Sequence, residues 1–226
     1  SLKSHNSLMK LIVSEVFYSI QGEGPNIGKP AVFLRLSGCN LRCGWCDTKH
    51  AITITNTITS TSNCNSISYG CAQVLKNIKK YPCRHLVITG GEPTLQQDAL
   101  IPLLEKLKDY YIEIETNGTI RLKINKYLEQ INCSPKLASS GNTPYPLKIK
   151  PTNNKVVYKF VVADKKDLKE IKAYIKSNKI PDEKVWLMPE GVNKKIVQEI
   201  SEWIIEICKK EGYNFSPRLH ILLNFQ

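Results

Sequence analysis

Ala31-Val32-Phe33-Leu34-Arg35-Leu36-Ser37-Gly38-Cys39-Asn40-Leu41-Arg42-Cys43-Gly44-Trp45-Cys46 joins a short apolar run to a glycine turn and then to three cysteines within eight residues. A run of this kind, rich in branched and aromatic side chains, reads as a buried strand, so the cysteines follow its carboxyl end. The same grammar repeats downstream. His85-Leu86-Val87-Ile88-Thr89 leads into Gly90-Gly91-Glu92-Pro93, a run ending at Glu115 into Thr116-Asn117-Gly118, and one ending at Cys133 into Ser134-Pro135-Lys136. In parallel α/β sheets, sites are built where the carboxyl ends of strands gather, which makes these turns candidates for one shared site.

Strands are expected over 31–36, 85–89, 110–115, 127–133, 156–162 and 185–188, with helices over 69–80, 96–108, 120–128, 165–177 and 194–210. That alternation is the signature of α/β architecture around a parallel sheet. About six strands rather than eight predict a partial, open parallel β/α barrel. Pro102 implies a kink or a late start in the second helix. Residues 51–68, rich in Thr, Ser and Asn, read as a polar surface insertion with short strand character at 52–54. Residues 1–226 are expected to form one domain.

Thirty-two Lys and Arg against 20 Asp and Glu give a formal charge of +12. The lysines are spread over 76–80, 148–159, 165–172 and 194–210, so they read as a solvated surface rather than as one nucleic-acid stripe. Eight cysteines fall far short of a disulfide scaffold. No run is long and apolar enough to cross a bilayer, and a reducing, cytoplasmic setting is expected, with no membrane partner.

Three closely spaced thiolates can hold a four-iron cluster and leave one iron open for chemistry, whereas a structural zinc normally closes its tetrahedron with four protein ligands. A zinc knuckle completed by His50 or Cys64 is the alternative. Cys-x3-Cys-x2-Cys after one strand, with Gly-Gly-Glu-Pro after the next, resembles the radical S-adenosylmethionine superfamily over about residues 31–190. The resemblance implies a 4Fe-4S cluster on Cys39, Cys43 and Cys46, with S-adenosyl-L-methionine chelated at the open iron. It implies cofactor contacts from Trp45, Cys46, Asp47, Gly91, Glu92, Asn117, Ser134, Pro135 and Lys136, with Met188 as a further strand-end candidate. Glycines 90 and 91 are expected to let the backbone approach the ligand.

Glu15-Val16-Phe17-Tyr18-Ser19-Ile20-Gln21-Gly22-Glu23-Gly24-Pro25, then Arg35 and Cys46-Asp47-Thr48-Lys49-His50, is similar to the 7-carboxy-7-deazaguanine synthases. Members of that family convert 6-carboxy-5,6,7,8-tetrahydropterin to 7-carboxy-7-deazaguanine with loss of ammonia. The resemblance makes 11–30 a substrate-binding extension and places substrate contacts at Ile20, Gln21, Gly22, Glu23, Arg35, Thr89, His220 and the terminal Gln226. It also implies a Mg2+ on Thr48. The residue types suit a pterin, whose amino and ring-nitrogen edge a side-chain amide or carboxylate reads by paired hydrogen bonds, so Gln21 and Glu23 are apt. Arg35 lies in an otherwise apolar run and needs a partner, either the substrate carboxylate or an internal Asp or Glu.

A reduced flavodoxin or ferredoxin is implied as electron donor, and a homodimer as the assembly; no direct nucleic-acid contact is expected. Two other activities remain open from sequence. A glycyl-radical-enzyme activase shares the cysteine spacing but acts on a protein backbone, and a non-catalytic iron–sulfur or zinc protein would use its basic surface on RNA.

Overall fold

The computed structural model describes residues 10–52 and 66–225. Among the described residues nine strands, numbered in chain order, form one sheet in the linear order β3-β1-β2-β4-β5-β6-β7-β8-β9, so the sheet is open. β2 (Pro30–Leu36), β4 (His85–Gly90), β5 (Tyr111–Thr116), β6 (Gln130–Cys133), β7 (Val156–Val162) and β8 (Val185–Pro189) pair in parallel, and these are the six strands expected from sequence. A two-residue β9 (Asn214–Phe215) continues the parallel run beside β8. The open parallel β/α barrel is therefore present, with an antiparallel addition at one edge.

That addition is β1 (Lys10–Ile20), which pairs antiparallel with β2 and with β3 (Ile67–Gly70). Its apolar alternation is hard to see in the sequence, because the register with β2 shifts between Val13 and Glu15. A bulge there reverses the face on which later side chains fall. Of the 51–68 insertion, residues 53–65 lie outside the described residues, and so does most of the strand expected at 52–54; Ile52 itself is in a turn. Tyr69 and Gly70, expected to open a helix, belong to β3 instead.

Helices α1 (Cys71–Lys79), α2 (Gln97–Leu104), α3 (Asp167–Asn178) and α4 (Lys194–Glu211) follow strands on one side of the sheet, and α5 (Leu219–Leu223) lies near the carboxyl end. α2 carries Pro102 internally and ends at Leu104, short of the expected 108. The helix expected over 120–128 is replaced by a single 3-10 turn at Asn125–Tyr127. The cause is the buried Gln97, whose amide accepts from the Lys123 N–H at 2.7 Å and donates to the Arg121 carbonyl at 3.1 Å. Those backbone groups are thereby held in a non-helical form despite the apolar spacing.

The core lies between the sheet and its helices. Val32, Leu34, Leu36, Leu86, Ile88, Ile112, Ile114, Tyr158 and Phe160 point into it, and the intervening residues point to the other, concave face.

Candidate active site

The carboxyl ends of β2, β4, β5 and β7 and the loops after β6 and β8 open onto one cavity of about 640 Å³. Cys39, Cys43 and Cys46 reach it from the loop after β2. Two of the three sulfurs accept from N–H donors: Cys43 Sγ from Asn142 Nδ2 at 3.2 Å and Cys39 Sγ from the Leu41 N–H at 3.4 Å. Donors of this kind stabilise ligating thiolates and tune the potential of an iron–sulfur cluster. The 138–142 segment braces the loop further, since Ser140 O accepts from the Gly44 N–H at 3.0 Å and Ser139 O from the Trp45 indole at 3.3 Å.

A single zinc draws its thiolates to about 2.3 Å from one point. Among the described residues no three His, Cys, Asp or Glu side chains converge in that way. A four-iron cluster would ask for one thiolate on each of three separate irons, and the three thiols here line one common cavity. Cys64, one candidate to complete a zinc site, lies outside the described residues.

The glycine turn after β4 has a packing reason as well. A Cβ on Gly90 would meet the Leu36 carbonyl oxygen at 2.0 Å, and one on Gly91 the Gly38 carbonyl oxygen at 2.2 Å. Both glycines admit the root of the cysteine loop while lining the cavity, and that root is bonded there, Gly91 N–H to Leu36 O at 2.9 Å and Glu92 N–H to Gly38 O at 2.7 Å. Glu92 does not line the cavity. Its buried carboxylate is filled by the Thr94 N–H, the Thr94 and Thr116 hydroxyls and the Asn117 N–H at 2.5–3.0 Å, so it ties the β4 turn to the end of β5. Asn117 in turn donates to Asn40 Oδ1 at 2.9 Å in the cysteine loop.

On the concave face, charges are arranged in tiers. Lowest is Glu113, wholly buried, which accepts from Gln21, Asn26 and Asn132 at 2.6–2.7 Å and faces His85 Nε2 at 3.0 Å. Above it Lys159 Nζ bridges Glu115 at 2.9 Å and Glu23 at 2.5 Å. Burial pushes the Glu23 carboxyl up, but Lys159, Arg218 and His220 outweigh it and hold the group at about 2. Glu115 is raised by burial and by its acidic neighbours, against the pull of Lys159. Burial also lowers His220 and Lys136, the latter held by the Ser134 hydroxyl at 2.6 Å.

Ile20, Gln21, Gly22, Glu23, Arg35, Trp45, Asp47, Thr48, Thr89, Gly91, Asn117, Ser134, Lys136 and His220 line the cavity with the three cysteines, as does Met188. Pro135 does not, and Gln226 lies outside the described residues. Gln21 lines it, but its amide is spent on Glu113 and on the Glu23 N–H. Arg35 takes the internal partner left open from sequence, donating from Nε to Glu15 across the β1–β2 pair at 2.6 Å. Gly22 makes room for His220, whose Nδ1 would lie 2.4 Å from a Cβ at that position. Sequence reading missed Lys159, Glu115 and Arg218. The first two carried the same signal that found Arg35, a charge at an inward position of an apolar strand.

The Radical SAM superfamily model matches residues 34–204. The 7-carboxy-7-deazaguanine synthase of Hyperthermus butylicus is 33% identical over 96% of this chain and 94% of its own, and that of Aquifex aeolicus 35% identical over 93% and 92%. The crystal structure of QueE from Escherichia coli superposes with a TM-score of 0.75 at 27% identity, covering 94% of this chain and 96% of that one. Similarity that runs nearly end to end, beyond the cysteine motif alone, makes this chain a member of the radical S-adenosylmethionine superfamily and, within it, of the 7-carboxy-7-deazaguanine synthase family.

Proposed function

We infer that this protein converts 6-carboxy-5,6,7,8-tetrahydropterin to 7-carboxy-7-deazaguanine with loss of ammonia, as a carbon–nitrogen lyase of deazapurine (queuosine) biosynthesis. The observation that carries the reading is that, in a chain of this family, the three thiols open on the same cavity as Arg35, Thr89, His220 and the 20–23 loop. When bound, the cluster and S-adenosylmethionine supply a deoxyadenosyl radical that takes the hydrogen at C6 of the pterin.

The chain's own groups bind and orient. Trp45, Asp47, Gly91, Asn117, Ser134 and Lys136 are assigned to the S-adenosylmethionine side of the cavity, with Glu92 as a buttress behind it. Glu23, kept ionised at neutral pH by its cationic neighbours, is assigned to the amino edge of the pterin. Arg35 is a multi-donor fork that can serve Glu15 and a substrate carboxylate together. Thr48 Oγ1 would hold a Mg2+, an ion that takes hard oxygen ligands and stays partly hydrated, and the ion would organise the substrate carboxylate. His220 covers the pterin from the tail. Residues 11–30 serve as the substrate-binding extension of a single 1–226 domain. A homodimer, a flavodoxin or ferredoxin donor and a cytoplasmic setting complete the reading; among the described residues no helix is long and apolar enough to cross a membrane.

Anaerobic reconstitution followed by incubation with the carboxy-tetrahydropterin, S-adenosylmethionine and a reductant tests it. The expected result is 5′-deoxyadenosine together with a product absorbing as a deazaguanine. A radical formed on a companion protein with no pterin turnover would favour the activase, and failure to take up iron a non-catalytic binding protein.

A further inference from the structure

Arg218 is only 5% exposed at its side chain, and it sits where three distant segments meet. One terminal nitrogen donates to the Gly191 carbonyl at 2.5 Å in the loop after β8, and the other is bonded to Asp47 Oδ2 in the cysteine loop. Its Nε lies 3.4 Å from Glu23 Oε1, in the loop after β1, too poorly aligned to count as a hydrogen bond. A buried guanidinium is stable only while its counter-charges stay in place, and its planar fork fixes their relative positions in a way that a lysine cannot. Asp47 stands between Cys46 and Thr48, while Glu23 is held from its other side by Lys159.

The tail that carries Arg218 is itself fastened to the 21–28 loop. Gly24 N–H donates to Ser216 Oγ at 2.9 Å and Leu219 N–H to the Gly22 carbonyl at 3.0 Å. Neither contact reaches the cysteine loop. Arg218 is the group in this segment that ties both loops to one rigid plane.

We propose that Arg218 is a positioning residue that couples the S-adenosylmethionine side of the cavity to the pterin side, so that ordering Asp47 on one ligand orders Glu23 for the other. The inference rests on the functional reading above for the identity of the two ligands. Each ligand then binds a loop that the other has already helped to fix, which is positive cooperativity, and linkage requires the factor to be the same in both directions.

The test is titration calorimetry on the reconstituted holoprotein without reductant, so that nothing turns over. S-adenosylmethionine is titrated with and without the carboxy-tetrahydropterin, and the pterin with and without S-adenosylmethionine. In the native protein each ligand should tighten the other by at least about fivefold, by equal factors. Arg218→Lys, which keeps the charge and loses the fork, should retain both affinities singly to within a few-fold and reduce the coupling below about twofold. Should that variant fail to fold, hydrogen exchange on the native holoprotein replaces it. S-adenosylmethionine alone should then slow exchange at the Gly24 and Leu219 amides, and pterin alone should slow it across 43–48. Independent binding in the native protein, undiminished coupling in Arg218→Lys, or amides deaf to the opposite ligand would each overturn the proposal. Failure of the native protein to bind the pterin at all would instead overturn the functional reading.

Discussion

The two faces of one sheet are built on opposite terms. The helix-covered face is overwhelmingly apolar, with Leu34, Leu86, Ile88, Ile114 and Phe160 shut away from water by α1 to α4. The concave face, one residue out of phase on the same strands, carries Arg35, Thr89, Glu113, Glu115, Asn132 and Lys159. The first face stabilises by removing apolar area from water and tolerates any packing that fills the space. The second buries charge, which costs stability unless each group has its partner, so its arrangement is fixed by pairing. The parity of the strand therefore separates the part of the chain that folds it from the part available for chemistry.

Gly91→Ala should have the largest effect, because it strikes where the concave face meets the cysteine loop. The new methyl would collide with the backbone oxygens of Gly38 and Ala51, at 2.2 and 2.8 Å, neither of which can rotate aside. Loss of most of the cluster after reconstitution is expected, read from iron content and the visible charge-transfer absorption, while the helix signal in the far ultraviolet persists. Full cluster occupancy would show that the loop does not depend on its root at β4.

Lys159→Met ranks next. It leaves Glu23 and Glu115 facing each other without their shared cation, a loss of about 3–5 kcal/mol of the kind seen when one partner of a buried pair is removed. Urea unfolding should show it, and adding Glu115→Gln should recover part of the loss, a non-additivity that a packing defect would not produce. On the other face, Leu103→Ala in α2 should cost about 2–5 kcal/mol by opening a cavity. It should leave the affinity for S-adenosylmethionine unchanged in the folded holoprotein. A change in that affinity would mean that the two faces are not separable.

The helix-covered face was legible in the sequence because apolar periodicity is a local signal; the six strands expected from it fall within three residues of their expected limits, and only the two-residue β9 of the parallel run escaped it. The cysteine loop was legible too, since its three thiols are neighbours in the chain. What was lost were pairings across the fold. Gln97 unmakes a helix from 26 residues away, and nothing local to 120–128 announces it. Arg35 was found as a charge in need of a partner, but the partner's identity depended on the β1–β2 register, which the irregularity near Ser14 obscures. Glu92 sits in a recognisable turn, yet only the packing shows its carboxylate turned inward on Thr94, Thr116 and Asn117. Arg218 stood two residues from a histidine already singled out, and its three partners come from three other loops.

The smallest effect separates the two carboxylates that share Lys159. Burial raises Glu23, and Lys159, Arg218 and His220 reverse this to hold it at about 2, below the ordinary 4.5. Its ionised form is the one that the fold favours, so its contribution is complete above the ordinary value and is lost as pH falls from there toward 2. Native protein minus Glu23→Gln should thus give a stability difference that is flat above about pH 5 and shrinks by about 1 kcal/mol by pH 3.5. Glu115 runs the other way, because burial and its neighbours Glu113 and Glu23 outweigh Lys159 and raise it. Its carboxylate is a liability at neutral pH that protonation relieves, so the native protein should gain on Glu115→Gln as pH falls through that raised value toward 4.5. Leu103→Ala, in a core cluster that contains no carboxylate, should keep one difference from native across the whole series. Denaturant unfolding at each pH reads all three, and two carboxylate variants drifting in the same direction would mean that Lys159 does not divide its charge between unequal partners.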